Sequence, residues 1–194
     1  MAGIKALRKV GLGLESTSTP GTLVEASTWW RGTGTIQDNM ETVFVEEDIG
    51  NYGGTTTSYI SKYGGEIVLE QDANFTQMLY PLLMGVAGEI AAVADTAAGT
   101  GYSYTFPMPT TAANVFATYS VEAGDDAGAE TLAYCFCPNF SISGAGGEAL
   151  KLSMTLRGQQ VIPGTFSDTA EIPSVEQILF GTGALTIDPD TVAV

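Results

Sequence analysis

No histidine occurs among the 194 residues, so the side chain that most often moves protons near neutral pH is missing, and with it the Ser-His and Cys-His nucleophile pairs. Carboxylates and two thiols are what remain to do chemistry. Acids are adjacent at Glu46-Glu47-Asp48 and at Asp125-Asp126. Two carboxylates can hydrolyse a glycosidic bond, but neighbours in a polar loop are ordinarily just solvated. Carboxylate oxygens suit calcium, which makes Asp125-Asp126 the candidate for that ion, yet neither cluster has the twelve-residue calcium-loop spacing. Cys135 and Cys137 flank Phe136 in a stretch that reads as strand. Both thiols then share one face, poorly placed to bridge each other, and read as small buried hydrophobes instead of zinc ligands. Gly11-Leu12-Gly13 lacks the third glycine or the Lys-Ser/Thr of a phosphate loop. The residues predict no enzyme, no cofactor and no metal.

The elements that must carry these residues are mainly strands. Residues 29–36 and 42–47 read as strands, the second with apolar side chains on both faces, a pattern that belongs inside a sandwich or an assembly. The Trp29-Trp30 pair points to opposite faces, which puts one ring in the core and the other at an interface. Residues 48–65 hold five glycines and Tyr52, Tyr59 and Tyr63 and read as an unusually long hairpin loop. A strand over 66–71 follows. Asn74 and Gln77 then suggest a capping box for a helix over about 75–84, with Phe75, Met78, Leu79, Leu82 and Leu83 as one apolar stripe, Pro81 as a kink and Gly85 as a left-handed cap. Residues 87–101 read as loop, and 102–108, 116–123, 131–143 and 149–161 as strands. Leu150, Leu152, Met154 and Leu156 take the inner face of the last of these, paired to its predecessor across 144–147. A final strand is expected near 183–187.

Composition narrows the function further. Charged residues make up 15% of the chain, below the roughly 25% of an average domain, so small polar residues or further copies of the chain must cover its surface. Acids outnumber Lys plus Arg 22 to 7, for a formal net charge of −15 and a pI near 4.1. Such a chain repels free nucleic acid. Lys5, Arg8 and Lys9 lie in the first nine positions without an acid among them, which suits a basic arm lying on an acidic neighbour. Residues 1–10 hold no secretory signal, and 78–94 is too interrupted by Pro81, Gly85, Gly88 and Glu89 to span a membrane.

Gly13, Glu15, Ser16, Thr17, Gly21 and Thr22 precede the first long strand, a short leucine-rich helix ends in glycine near 85, and Gly-rich turns separate alternating strands over 102–161. In this order and spacing the chain resembles the major tail tube proteins of long-tailed, non-contractile bacteriophages. The resemblance implies a mainly β sandwich or barrel of the tail tube type, with one flanking helix and a long hairpin loop. It further implies six-membered rings that stack into a hollow, negatively lined tube for genome delivery, in a virion tail assembled in the bacterial host cytoplasm. Residues 1–20 would be an arm crossing to an adjacent subunit, 21–187 the tube domain and 188–194 a tail. Lys5, Arg8, Lys9, Glu15 and Trp29 would sit at subunit contacts, Tyr52, Tyr59 and Tyr63 at ring stacking, and Glu66, Glu70 and Glu122 would line the lumen. The partners implied are the chain itself, with tape-measure, tail-terminator and distal tail proteins at assembly. DNA would pass without specific binding, and no membrane is involved. A capsid decoration protein, a head-to-tail joining protein or a carbohydrate-binding adhesion module are the alternatives.

Overall fold

The alternation of apolar and polar side chains turns into strand pairing almost wherever it occurs. The computed structural model describes residues 7–50, 52, 55–88, 92–95, 101–106, 111, 113–182, 185–187 and 190–192. In chain order the elements are β1 (Lys9–Leu14), β2 (Thr28–Trp29), β3 (Thr33–Asp38), β4 (Glu41–Phe44), β5 (Ser58–Lys62), β6 (Gly65–Asp72), α1 (Tyr80–Gly85), β7 (Val93–Asp95), β8 (Gly101–Ser103), β9 (Tyr119–Asp125), β10 (Gly128–Ser143), β11 (Lys151–Gly158), β12 (Val161–Gly164), β13 (Leu185–Ile187) and β14 (Asp190–Val192). All strand pairs are antiparallel.

The 16-residue β10 organises the fold by belonging to two layers. Its first half pairs with β9 and β12, its second half with β11, and its register with β9 breaks between Leu132 and Cys135. Tyr134 sits in that break with a φ of 59°. A strand that bulges and bends in this way turns a corner between two sheets. One layer is β2-β1-β9-β10-β12, the other β10-β11-β6-β3, and β2 and β3 are the two ends of the path. The sheet therefore curls without closing. Val10, Leu12, Val121 and Leu132 of one layer meet Ile67, Leu69, Met154 and Leu156 of the other in a single core.

The mainly β architecture agrees with the sequence reading, as do the alternations in β6 and β11, where Ile67, Leu69, Leu152, Met154 and Leu156 are buried. Several local expectations are corrected. Residues 1–20 are not one arm: Lys9–Leu14 is an interior strand of the first layer, because Val10 and Leu12 have core to fill. Residues 29–36 are not one strand either. Trp30 turns into the core after β2, and β3 starts afresh at Thr33.

The helix is shorter than expected. Asn74 Oδ1 does accept from Gln77 N (2.8 Å) as a cap, but Pro81 has no N–H to give and is best placed in a first turn, so residues 75–79 form turns and α1 begins at Tyr80. Phe75 is consequently 61% exposed, and Pro81 and Met84 carry the buried face. Gly85 is not a left-handed cap; a Cβ there would come within 2.6 Å of the Cys137 carbonyl oxygen, so it lets α1 lie close on β10. Residues 48–65 are not a loop throughout, since 58–62 form β5, and the expected loop over 87–101 contains β7 and leads into β8. Met108, at the end of the expected aromatic strand, lies outside the described residues, and the expected C-terminal strand is β13, paired with β14.

Trp30, Tyr80 and Tyr119 stack in a row through the core, with centroids 6.4 and 5.5 Å apart. Burial raises the pKa of both tyrosines and of both cysteines, Cys137 from 9.0 up to about 11. Each of these acids is held neutral in the fold, so its contribution is complete below its ordinary value and is lost as pH climbs toward the folded value. We expect the melting temperature to be flat from pH 7 to 8.5 and to fall steeply above pH 9.5. A flat profile to pH 11 would contradict the burial described. Leu156→Ala, at a fully buried site, should cost about 2–5 kcal/mol in urea denaturation.

Candidate functional site

The residues that could have done chemistry are used structurally. Both thiols are buried and donate to backbone carbonyls, Cys135 to Leu132 and Cys137 to Asn139. Asp125 Oδ1 accepts from Ala127 N (3.0 Å) and closes the two-residue turn between β9 and β10. Glu47 accepts from the Thr56 and Thr57 hydroxyls across the β4–β5 hairpin, and these bonds hold its carboxyl below the usual range. Among the described residues no group of three His, Cys, Asp or Glu side chains converges as metal ligands would. Gly11 and Gly13 serve close packing instead: the Trp29 ring lies over Gly11, and a Cβ on Gly11 would meet that of Ala26 at 2.6 Å.

Glu15 and Glu122, expected at a subunit contact and in a lumen, are each only 3% exposed. Glu15 accepts from Gly21 N (2.7 Å), Ser120 Oγ (2.8 Å) and Tyr134 N (2.7 Å). Glu122 accepts from Ala26 N and Ser167 N, both at 2.8 Å, and Ser120 Oγ accepts from Val24 N at 3.0 Å. Residues 21–26 thus cross the outer face of β1 and β9, and carboxylates and a hydroxyl take the amides of Gly21, Val24 and Ala26, before Ser27 N donates to Leu12 O at 3.0 Å. Charge-assisted bonds of this kind are the strong ones. The bond from Tyr134 N also holds the left-handed residue at the corner of β10, a conformation that costs a non-glycine residue roughly 1–2 kcal/mol.

Gln77 does similar work at the other tryptophan. It is fully buried, donates to Trp29 O (2.9 Å) and accepts from Arg31 N (3.2 Å), fixing the bend between β2 and β3. In the sequence its spacing from Asn74 read only as a helix cap. The signal for Glu122 was an acid between Val121 and Ala123, inside the strand and away from its turn-forming end at Asp125.

The remaining site candidates lie on the surface. Asn39 N donates to Gly64 O (2.8 Å), carrying the β3–β6 pairing on into β4–β5, so residues 33–72 make one long hairpin whose outer half packs on no other element to any extent. Every residue of β4 and β5 is exposed, including Val43, Phe44 (67%), Tyr59 and Ile60, and Tyr52 and Tyr63 are exposed beside them. Among the described residues the apolar-on-both-faces pattern of β4 therefore meets no core. The β7–β8 hairpin exposes Val93 and Tyr102 in the same manner. On β6, Glu70 is exposed and Glu66 pairs with Arg157 (2.9 Å). Trp29 is half-buried against Phe166, with Lys9 Nζ above both rings at 5.3 and 5.6 Å. Arg8 is exposed; Lys5 lies outside the described residues. Between the ends of the sheet, beside β3, opens a cleft of about 820 Å³ bordered by Arg8, Lys9, Trp29, Arg31, Glu70 and Ile172.

No known family matches the sequence, and no curated protein does. Among solved structures the fold is similar to a chain of the 6-fold symmetrised cryo-EM structure of the anti-feeding prophage baseplate, at 9% identity and a TM-score of 0.39, over 85% of this chain and 97% of that one. At that level of likeness the surfaces of this chain have to say what it does.

Glu15→Ala would leave three donors, two of them backbone amides, without their acceptor, and should lower stability by about 2–4 kcal/mol in urea denaturation. Adding Tyr134→Gly should return about 1 kcal/mol, because glycine takes the left-handed corner at no steric cost. A loss under about 0.5 kcal/mol for Glu15→Ala would refute the clamp.

Proposed function

We propose that this chain is a non-enzymatic structural subunit of a phage-tail-type particle, forming six-membered rings that stack into the tail tube. The observation that carries this reading is the set of unfilled strand surfaces. The sheet curls almost to closure but ends at β3, and from β3 and β6 springs a hairpin with apolar side chains on both faces and nothing of its own to pack on. Exposed edges and apolar hairpins of this kind are aggregation hazards in a monomer, and ring closure by sibling copies removes them. The resemblance along the sequence supplies the tube.

In this reading the outer face of β3-β6-β11 faces the conduit. Its side chains are Thr33, Thr35 and Gln37, then Glu66, Val68 and Glu70, then Ser153 and Thr155. The two cations on these strands are matched in register by acids, Lys151 opposite Asp72 and Arg157 opposite Glu66, while Arg8, Lys9 and Arg31 border the cleft that the same face shares with Glu70. Apart from that cleft, strands of this composition give a passing polyanion little to bind. Glu122, sequestered under residues 26 and 167, has no part in it. Tape-measure, tail-terminator and distal tail proteins would meet the two ends of such a tube in the virion.

Negative-stain imaging together with sedimentation velocity of the purified chain tests this. Six-fold discs should appear first and tubes as concentration rises; a single species of one subunit's mass across all concentrations would overturn the proposal.

A further inference from the structure

The face that the tube reading turns toward the conduit is not where the acidity of the chain lies. Only seven residues are basic, and Arg8, Lys9, Arg31, Lys151 and Arg157 all stand on or beside the outer face of β3-β6-β11, against the acids Glu66, Glu70 and Asp72. Lys151 and Arg157 are matched across the ladder by Asp72 and Glu66. Arg8, Lys9 and Arg31 are exposed and form no salt bridge with any described residue. All three border the one cleft, where Glu70 is the single acid among the bordering residues and the exposed Thr33 and Thr35 add hydroxyls.

In a chain with 22 acids, three neighbouring cations that take none of them are left open to an anion from outside. A guanidinium presents a planar fork that matches two phosphate oxygens, and hydroxyls can donate to the others. Because the cations stand exposed on a strand surface, a phosphate carried on a large body can reach them. Range decides the contest with the net charge of −15. At about 0.1 M salt, charges more than about 10 Å away are largely screened. A phosphate at the cleft therefore feels the three cations and Glu70, while the remote acids act only on a polyanion still at a distance.

We propose that the cleft is a foothold for duplex DNA, in which Arg8, Lys9 and Arg31 take up backbone phosphates without reading the bases. The proposal rests on the reading of this face as the conduit wall and names what the wall touches. Contacts to phosphate alone carry no sequence information, weaken steeply with salt and let a protein slide along the duplex. Repeated around a six-membered ring, such footholds centre the duplex on the axis, and the neutralised strands between them give it nowhere else to stick.

Fluorescence anisotropy of a short labelled DNA duplex titrated with the dispersed chain tests it. Binding should weaken roughly fortyfold between about 50 and about 200 mM salt, the slope expected for three phosphates. Arg8→Ala with Arg31→Ala should weaken it at least about tenfold and lower the salt slope by about one for each arginine removed. Glu70→Gln should tighten it about twofold to threefold, whereas Lys62→Gln, which removes a cation outside the cleft, should leave affinity and slope unchanged. Both tryptophans of the chain border the cleft, so their fluorescence should change on binding in the parent and not in the double variant. Circular dichroism matching the parent establishes that the double variant is folded, and Arg8→Gln alone serves if it is not. Failure of the folded parent to bind at about 50 mM salt, or binding that the double variant retains, overturns the proposal and leaves the tube reading standing wherever discs and tubes form. Displacement of the duplex by inorganic phosphate at the same phosphate concentration would make the ligand the free ion, and equal competition by polyglutamate would make it an acidic protein; either overturns the assignment to DNA. Binding with the stated slope by a chain that forms neither discs nor tubes upholds the foothold and removes the tube.

Discussion

Backbone amides and carbonyls must find partners, and where this chain finds them decides both its fold and its behaviour toward other copies. Within the molecule the requirement is met even where no strand is at hand. Residues 21–26 cross the outer face of the first layer with Glu15, Ser120 and Glu122 standing in for a ladder, and Ser167 is held by the second carboxylate from the other side. Glu15 ties Gly21 to the corner at Tyr134, and Glu122 ties Ala26 to Ser167. At β3 the requirement is left open, and beyond it the β4–β5 hairpin pairs only with itself. The same rule that makes the interior determinate leaves strand surface at the periphery that the described residues do not cover.

Charge is distributed in keeping with that division. A net charge of −15 on 194 residues keeps copies apart in dilute solution. Two acids that look on paper like surface charge are in fact buried, so the exposed field is weaker than the composition suggests. The chain has no histidine, and both of its thiols are sealed in the core.

Much of this was legible from residue order. Period-two alternation located β6 and β11 and their inner faces, strands were expected where β9 and β10 lie, and of the two tryptophans expected on opposite faces it is Trp30 that enters the core. Failures came where tertiary contacts overrode a local rule. Glu15 was expected at a subunit contact and Glu122 in a lumen, because residue order does not tell that another segment of the same chain will cover them. Pro81 read as a kink inside a longer helix, when its missing N–H made it a beginning. The glycines of residues 48–65 suggested a loop, although Ser58–Lys62 had the β-branched and aromatic content of a strand. The clustering of Arg8 and Lys9 with Arg31, distant in sequence, only folding could reveal, since it depends on β1 and β3 standing at opposite sides of an unclosed sheet.

The central claim is that β3 and the β4–β5 hairpin complete their packing on other copies. Amide hydrogen exchange, compared between dispersed and concentrated protein, reads it at the backbone itself. The account predicts that amides of residues 33–38 and 41–62 exchange within seconds to minutes when subunits are dispersed and become strongly protected on assembly, while the β6–β11 core is protected in both. Unchanged, rapid exchange of both segments in the assembled material would contradict it.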